Sequence, residues 1–176
     1  VALCKGEKMN NKIAFIVDST TIVPEEFVQA FRYEQVSLHV MIEGKEEREL
    51  DLKDEDIISR LESTKNLKSS SPSTGEFLLA LEKLFSEGYE NIIIMTMSKE
   101  NSTTYNVANM AIDSLDDDQK NHVYNVDTNI NNYGITNILI ALSYWRDKDI
   151  SGKDLAAKAN IYCHDSHLAF TPVSYT

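Results

Sequence analysis

The chain is poor in cysteine. Among its 176 residues only Cys4 and Cys163 occur, far apart and with no Cys-x-x-Cys spacing. That excludes a disulfide framework and a zinc finger, and it fits a reducing, cytoplasmic setting. No apolar run approaches the roughly 18 residues of a membrane span, so no transmembrane helix is expected. Residues 1–10 lack an apolar h-region and do not read as a signal peptide. They are expected to be a leader, with one domain over residues 11–176. Basic residues are also scarce: 17 Lys and Arg face 28 Asp and Glu, for a formal net charge of -11. Such a balance argues against nucleic acid and anionic membrane as partners. The motifs of common chemistry are missing as well. No Gly-rich phosphate loop follows an apolar run, and there is neither Gly-Lys-[Ser/Thr] nor Gly-x-Ser-x-Gly. No serine has a histidine base beside it in the pattern.

What the chain does have is hydroxyls in a particular place. Lys68-Ser69-Ser70-Ser71-Pro72-Ser73-Thr74-Gly75-Glu76-Phe77 is the densest such stretch. Ser73 and Glu76 form a capping-box pattern that predicts a helix from Thr74. Phe77, Leu78, Leu81, Leu84 and Phe85 recur at helical spacing, and Gly88 ends the run. The serines therefore precede a helix N-terminus, where free N–H groups and the dipole favour an oxyanion. Taken alone, the stretch is better explained by a cap and a solvated loop, because Ser-rich helix entries are common.

Along the chain, Ile13–Val17 is a continuous apolar run of the kind buried on both faces of a sheet. Pro24, Glu25 and Glu26 then open a helix. Val36–Ile42 alternates and predicts a second strand, followed by a turn at Glu43–Glu46 and a charged surface stretch. A short helix is expected around 55–61. Asn91–Thr96 and His122–Val126 read as strands, Ser102–Leu115 and Asn132–Trp145 as helices. Ser151 begins a last helix, and another strand is expected from His167 to Phe170. Strands alternating with helices imply an α/β fold, a mostly parallel sheet with helices on both faces. Ligands of such sheets bind outside the carboxyl ends of the strands.

That rule gathers the scattered polar residues. One strand ends in Asp18-Ser19-Thr20, a second is followed by Ser98, and a third ends in Asp127-Thr128. With the loop carrying Ser69 and Ser70, these stretches are expected to converge on one rim. Asp116-Asp117-Asp118 follows a helix C-terminus and reads as a solvated loop rather than a metal site. His164 and His167 flank Asp165 beside Cys163, but the group spans a helix-to-strand connection. No metal and no cofactor are expected. A rim with many neutral donors and few bases suits binding better than catalysis, and no enzymatic activity is expected.

These residues resemble the DegV family of fatty-acid-binding proteins, which have a two-domain α/β fold. Val17-Asp18-Ser19-Thr20 matches the end of that family's first strand. Ser69-Ser70-Ser71-Pro72-Ser73 matches its Thr-Ser-Gln-Pro-Ser loop, with Gly75-Glu76-Phe77 following. Ser98-Lys99-Glu100-Asn101-Ser102-Thr103-Thr104-Tyr105 matches Ser-Ser-x-x-Ser-Gly-Thr-Tyr, and Asp127-Thr128 with Gly134 matches a fourth motif. The motifs occur in the family's order between Ile13 and about Thr136. The resemblance implies that a fatty-acid carboxylate is held by Ser69, with Ser70 beside it, and by Ser98. Ser19 and Asp127 complete the expected binding set. It also implies an acyl tail in the apolar interior and presentation of the lipid to a fatty acid kinase subunit, which phosphorylates the carboxylate.

The sequence departs from the pattern at several points. Lys99 stands for a Ser, Thr103 for a Gly and Ser71 for a Gln, while Asn132 and Thr136 stand for a Ser and a Gly. The family's remaining headgroup ligands, an Arg and a His, belong to a second domain. By this resemblance the chain is expected to be an N-terminal domain, with the second domain truncated or missing. Two other readings stay open: an enzyme acting on a phosphorylated or carboxylated small molecule, and a degenerate domain kept for protein contacts.

Overall fold

The computed structural model describes residues 12–42, 44–53, 55 and 68–167. Its centre is a parallel sheet of β1 (Ile13–Asp18), β2 (Arg32–Val36), β6 (Asn91–Met95) and β7 (Val123–Val126), in the order β2-β1-β6-β7. The period of two along each strand sorts side chains to opposite faces. Ile13, Phe15, Val17, Ile93 and Met95 face one layer of helices: α1 (Glu25–Ala30), α5 (Tyr133–Ser143) and α6 (Gly152–Asp165). Ala14, Ile16, Ile92 and Ile94 face the other, α2 (Thr74–Ser86) and α3 (Thr104–Asp113). Both faces are covered, which is why β1 and β6 read as unbroken apolar runs. Phe15 packs against Phe27 and Phe31 with ring centroids 5.0 Å apart in each pair, anchoring α1 to the sheet.

A second, antiparallel sheet of three short strands stands beside the first: β3 (His39–Ile42), β4 (Lys45–Arg48) and β5 (Lys68–Ser70), in the order β4-β3-β5. Gly44, at φ +81°, belongs to the turn between β3 and β4. A further helix, α4 (Asp117–Lys120), is a single turn.

The helix starts follow their sequence signals. Ser73 Oγ accepts the Glu76 amide at 3.3 Å, and Glu76 Oε2 accepts the Ser73 amide at 2.8 Å. Ser151 caps α6 in the same manner, accepting the Asp154 amide at 3.1 Å. Three expectations need correction. The strand expected over Val36–Ile42 is two strands in two sheets. Ser37 is buried, donates to the Leu38 carbonyl at 2.7 Å and accepts the Leu50 amide at 3.1 Å, so the ladder breaks there. Part of the expected Ser loop is a strand: Ser69 pairs with Val40 and Ser70 with His39. The Asp116–Asp118 stretch is a helix start, with Asp116 Oδ1 accepting the Gln119 amide at 2.8 Å. The leader at 1–10, the helix at 55–61 and the strand at 167–170 lie wholly or mostly outside the described residues.

Candidate functional site

Three strands of the parallel sheet end along one edge, and their exits are tied together. Asp18, the last residue of β1, is fully buried. Its Oδ1 accepts the Thr20 amide at 3.1 Å, the Thr20 hydroxyl at 2.6 Å and the Thr21 hydroxyl at 3.3 Å. Its Oδ2 accepts the Met97 amide, just beyond β6, at 2.6 Å. Burial pushes the Asp18 carboxyl above the ordinary carboxylate range, and these hydrogen bonds oppose the shift. On the β7 side, the Thr128 hydroxyl donates to the Thr96 carbonyl at 2.7 Å. The Ser98 amide is shared between the Ile130 carbonyl and Asn131 Oδ1, each at 3.0 Å.

Ser98 lies within this seam, 2% exposed. Its carbonyl accepts the amides of Asn101 and Ser102 at 3.0 Å, closing a turn that leads into α3. Its hydroxyl accepts the Glu100 amide at 3.2 Å. Lys99 projects from the same turn onto Asp127, with Nζ 2.5 Å from Oδ2. The pair raises the lysine's affinity for its proton.

The serine stretch meets this edge through one side chain. Ser71 Oγ lies 2.7 Å from Thr103 Oγ1 and 3.4 Å from Ser102 Oγ. Ser102 Oγ in turn lies 2.8 Å from Thr104 Oγ1 and accepts the Thr104 amide at 3.2 Å. A chain of hydroxyls therefore runs from the entry of α2 to the N-terminus of α3. Thr103 is the α3 cap residue, and its side chain makes no capping bond. Its hydroxyl turns instead to Ser71, so the positive end of α3 opens beside the hydroxyl chain.

Of the residues singled out from sequence, Ser98 and Asp127 stand on adjacent loops of this edge. Ser19 follows Asp18 on a third, where it accepts the Leu38 amide at 2.9 Å and donates to Glu49. That serine is engaged in joining the two sheets. Ser69 and Ser70 are exposed on β5, and Ser70 donates to Glu46 Oε1 at 3.2 Å. Sequence reasoning placed Asp18 in a rim stretch but gave it no tying role, and it did not link the hydroxyls of Ser71, Ser102, Thr103 and Thr104. The available signals were an Asp closing an apolar strand, and hydroxyls repeated just before two helix starts.

Among the described residues, no three His, Cys, Asp or Glu side chains converge as a metal site. His164 Nδ1 lies 3.2 Å from Asp165 Oδ1 at the end of α6. Cys163 is buried, and burial pushes its thiol up to about 12, so it is no nucleophile at neutral pH. A groove of about 400 Å³ lies beside β2 and α2, lined by Glu34, Gln35, Ser37, Arg48 and Glu76 among others, and Gln35 ties it to the seam by donating to the Asp18 carbonyl at 3.1 Å. No described helix is long and apolar enough to cross a membrane.

Comparison with known proteins gives a consistent picture. Residues 12–175 match the family model described as "Uncharacterised protein, DegV family". A DegV domain-containing protein of Listeria innocua is 36% identical over 110 residues, covering 61% of this chain and 39% of that protein. A hypothetical protein from Thermotoga maritima, whose structure is described as revealing a fatty acid binding function, superposes with TM-score 0.72 at 25% identity. The match covers 86% of this chain and 55% of that one. The Streptococcus pneumoniae fatty acid kinase B3 protein loaded with linoleic acid superposes with TM-score 0.73 at 19% identity. It covers 86% and 54% of the two chains. The chain thus spans about half the length of these solved relatives and less of the curated one.

Proposed function

The chain belongs to the DegV family, and from that premise we propose that it binds a long-chain fatty acid by its carboxylate and presents it to a fatty acid kinase. The observation that carries the reading is the edge formed by Ser98 and the Ser71–Thr103–Ser102–Thr104 hydroxyls at the N-terminus of α3. Hydroxyl donors beside a helix N-terminus favour a small anion without a metal or a base. The fatty-acid ligands of the Thermotoga and Streptococcus proteins support the choice of anion. The Ser98 hydroxyl receives one amide and has no acceptor for its own proton among the described residues, so that proton remains to be given to a carboxylate.

The driving force for such binding lies in the tail. At about 0.8 kcal/mol per buried methylene, a long acyl chain gains on the order of 10 kcal/mol gross, much of it offset by ordering and association. The headgroup contributes orientation. A carboxylate held at the strand ends is aimed outward, where a kinase can reach it, and the chain itself supplies no base or nucleophile to the transfer.

Mass spectrometry of the small molecules extracted from the purified protein tests this reading. A fatty acid is the expected result. A polar phosphorylated or carboxylated metabolite would favour an enzyme instead.

A further inference from the structure

Lys99 and Asp127 form the one ion pair at the seam among the described residues, and the aspartate is under-served by it. Asp127 Oδ2 meets the ammonium at 2.5 Å, while Oδ1 is buried with no hydrogen-bond partner among the described residues. A buried carboxylate oxygen without a donor is costly, so the aspartate depends on Lys99 for its compensation. The lysine is not similarly fixed. Its side chain is 50% exposed, against 22% for the aspartate, and it sits on a flexible four-carbon stem. Its backbone is held by the turn in which the Asn101 and Ser102 amides donate to the Ser98 carbonyl, so a change of partner falls to the half-exposed side chain.

We propose that Lys99, latched on Asp127, is the residue by which the headgroup site distinguishes a doubly charged headgroup from a singly charged one. The proposal rests on the fatty-acid reading above and concerns the bound lipid after its phosphorylation. Moving the ammonium from Asp127 to a ligand carboxylate exchanges one monoanion for another. It also strands the aspartate, so the latch stays closed on a fatty acid. A phosphoryl headgroup carries about -1.5 to -2 charges at pH 7. Coulomb attraction scales with that charge, so the same movement becomes favourable. Phosphorylation of the bound carboxylate would release the lysine from Asp127 and bring it onto the new headgroup. The product would then be held more tightly than the substrate. Lys99 is a binding residue in this account, and Asp127 a positioning residue that sets the charge threshold.

Dodecanoate and dodecyl phosphate, a non-hydrolysing stand-in with the same tail, are the probes. Each is titrated by competition against a fluorescent fatty acid. The parent protein is expected to prefer dodecyl phosphate. Lys99→Met should reduce the phosphate-to-carboxylate affinity ratio at least tenfold, and Lys99→Arg should keep most of it. Asp127→Asn should free the lysine, raise dodecanoate affinity several-fold and so shrink the ratio from the other side. An unchanged ratio in Lys99→Met, or dodecanoate binding that is unchanged or weaker in Asp127→Asn, overturns the latch while leaving the fatty-acid reading intact. A parent protein that binds neither alkyl anion overturns the fatty-acid reading, and the latch with it.

Discussion

Asp18 Oδ2, at the end of β1, accepts the backbone amide of Met97, just past β6, at 2.6 Å. One carboxylate thereby fixes where two neighbouring strands leave the sheet, and it sets the start of the turn that carries Ser98. Replacing it with alanine removes the acceptor for three further donors on Thr20 and Thr21. A hydrogen bond to a charged group is worth about 1.5–3 kcal/mol net, and the burial cost of the charge offsets part of the sum. Asp18→Ala should lower stability by about 2–4 kcal/mol, read as a lower urea midpoint with an unchanged slope.

The pH dependence separates Asp18 from the other carboxylates. Burial raises its folded-state affinity for a proton above the ordinary value of 3.8. The folded chain therefore takes up that proton first, and this contribution to stability grows as pH falls through the folded value. Glu76 behaves oppositely. Burial pushes it up, but hydrogen bonds from Ser73 and His39 outweigh that and hold it below the ordinary 4.5. Its contribution is present above about 4.5 and is lost as pH falls through the lower folded value. Acid titration of the urea midpoint should show a shallower acid loss for Glu76→Gln than for the parent, and a steeper one for Asp18→Asn.

Gly152, the first residue of α6, has no room for a side chain. A Cβ there would stand 2.5 Å from the Cβ of Asn91 at the start of β6. Neither atom is the end of a flexible chain, so backbone must shift. Gly152→Ala should cost about 1–3 kcal/mol by overpacking, despite alanine's better helix propensity. Thermal unfolding would show it as a drop of several degrees, and a raised melting temperature would mean that α6 yields more easily than its packing implies.

The parallel sheet was readable because β1 and β6 are buried on both faces and must be apolar throughout, and because the helices carry their caps in sequence. The edge strand β2 was not. Its Arg32, Tyr33, Glu34 and Gln35 are partly exposed, and Arg32 and Glu34 pair with Glu87 and Lys83, so no alternation marks it. The boundary between β2 and β3 depends on Ser37 bonding to Leu38 and Leu50, and such a competition with the ladder leaves no periodic trace. β5 is three exposed residues, Lys68, Ser69 and Ser70, defined only by pairing with β3. At the site, the strand-end rule was enough to single out Ser98 and Asp127. The Asp18–Met97 tie, the Ser71–Thr103 contact and the Lys99–Asp127 pair were not legible, because each joins residues far apart in the chain through side-chain direction alone.

Ser98→Ala tests the central claim most directly. The hydroxyl accepts the Glu100 amide within a buried turn, so a modest stability loss of about 1 kcal/mol accompanies its removal. On the proposed reading it also donates to the ligand carboxylate. At about 1.5–3 kcal/mol for a bond to a charged group and 1.4 kcal/mol per decade, acyl-ligand affinity should fall roughly ten- to a hundredfold. The measurement is a titration of fluorescent fatty acid into folded parent and Ser98→Ala protein, with Ser69→Ala alongside. A loss of that size in Ser98→Ala is the predicted result. Parent-like affinity in Ser98→Ala, with the loss appearing in Ser69→Ala, would contradict the account and move the carboxylate to the serine stretch alone.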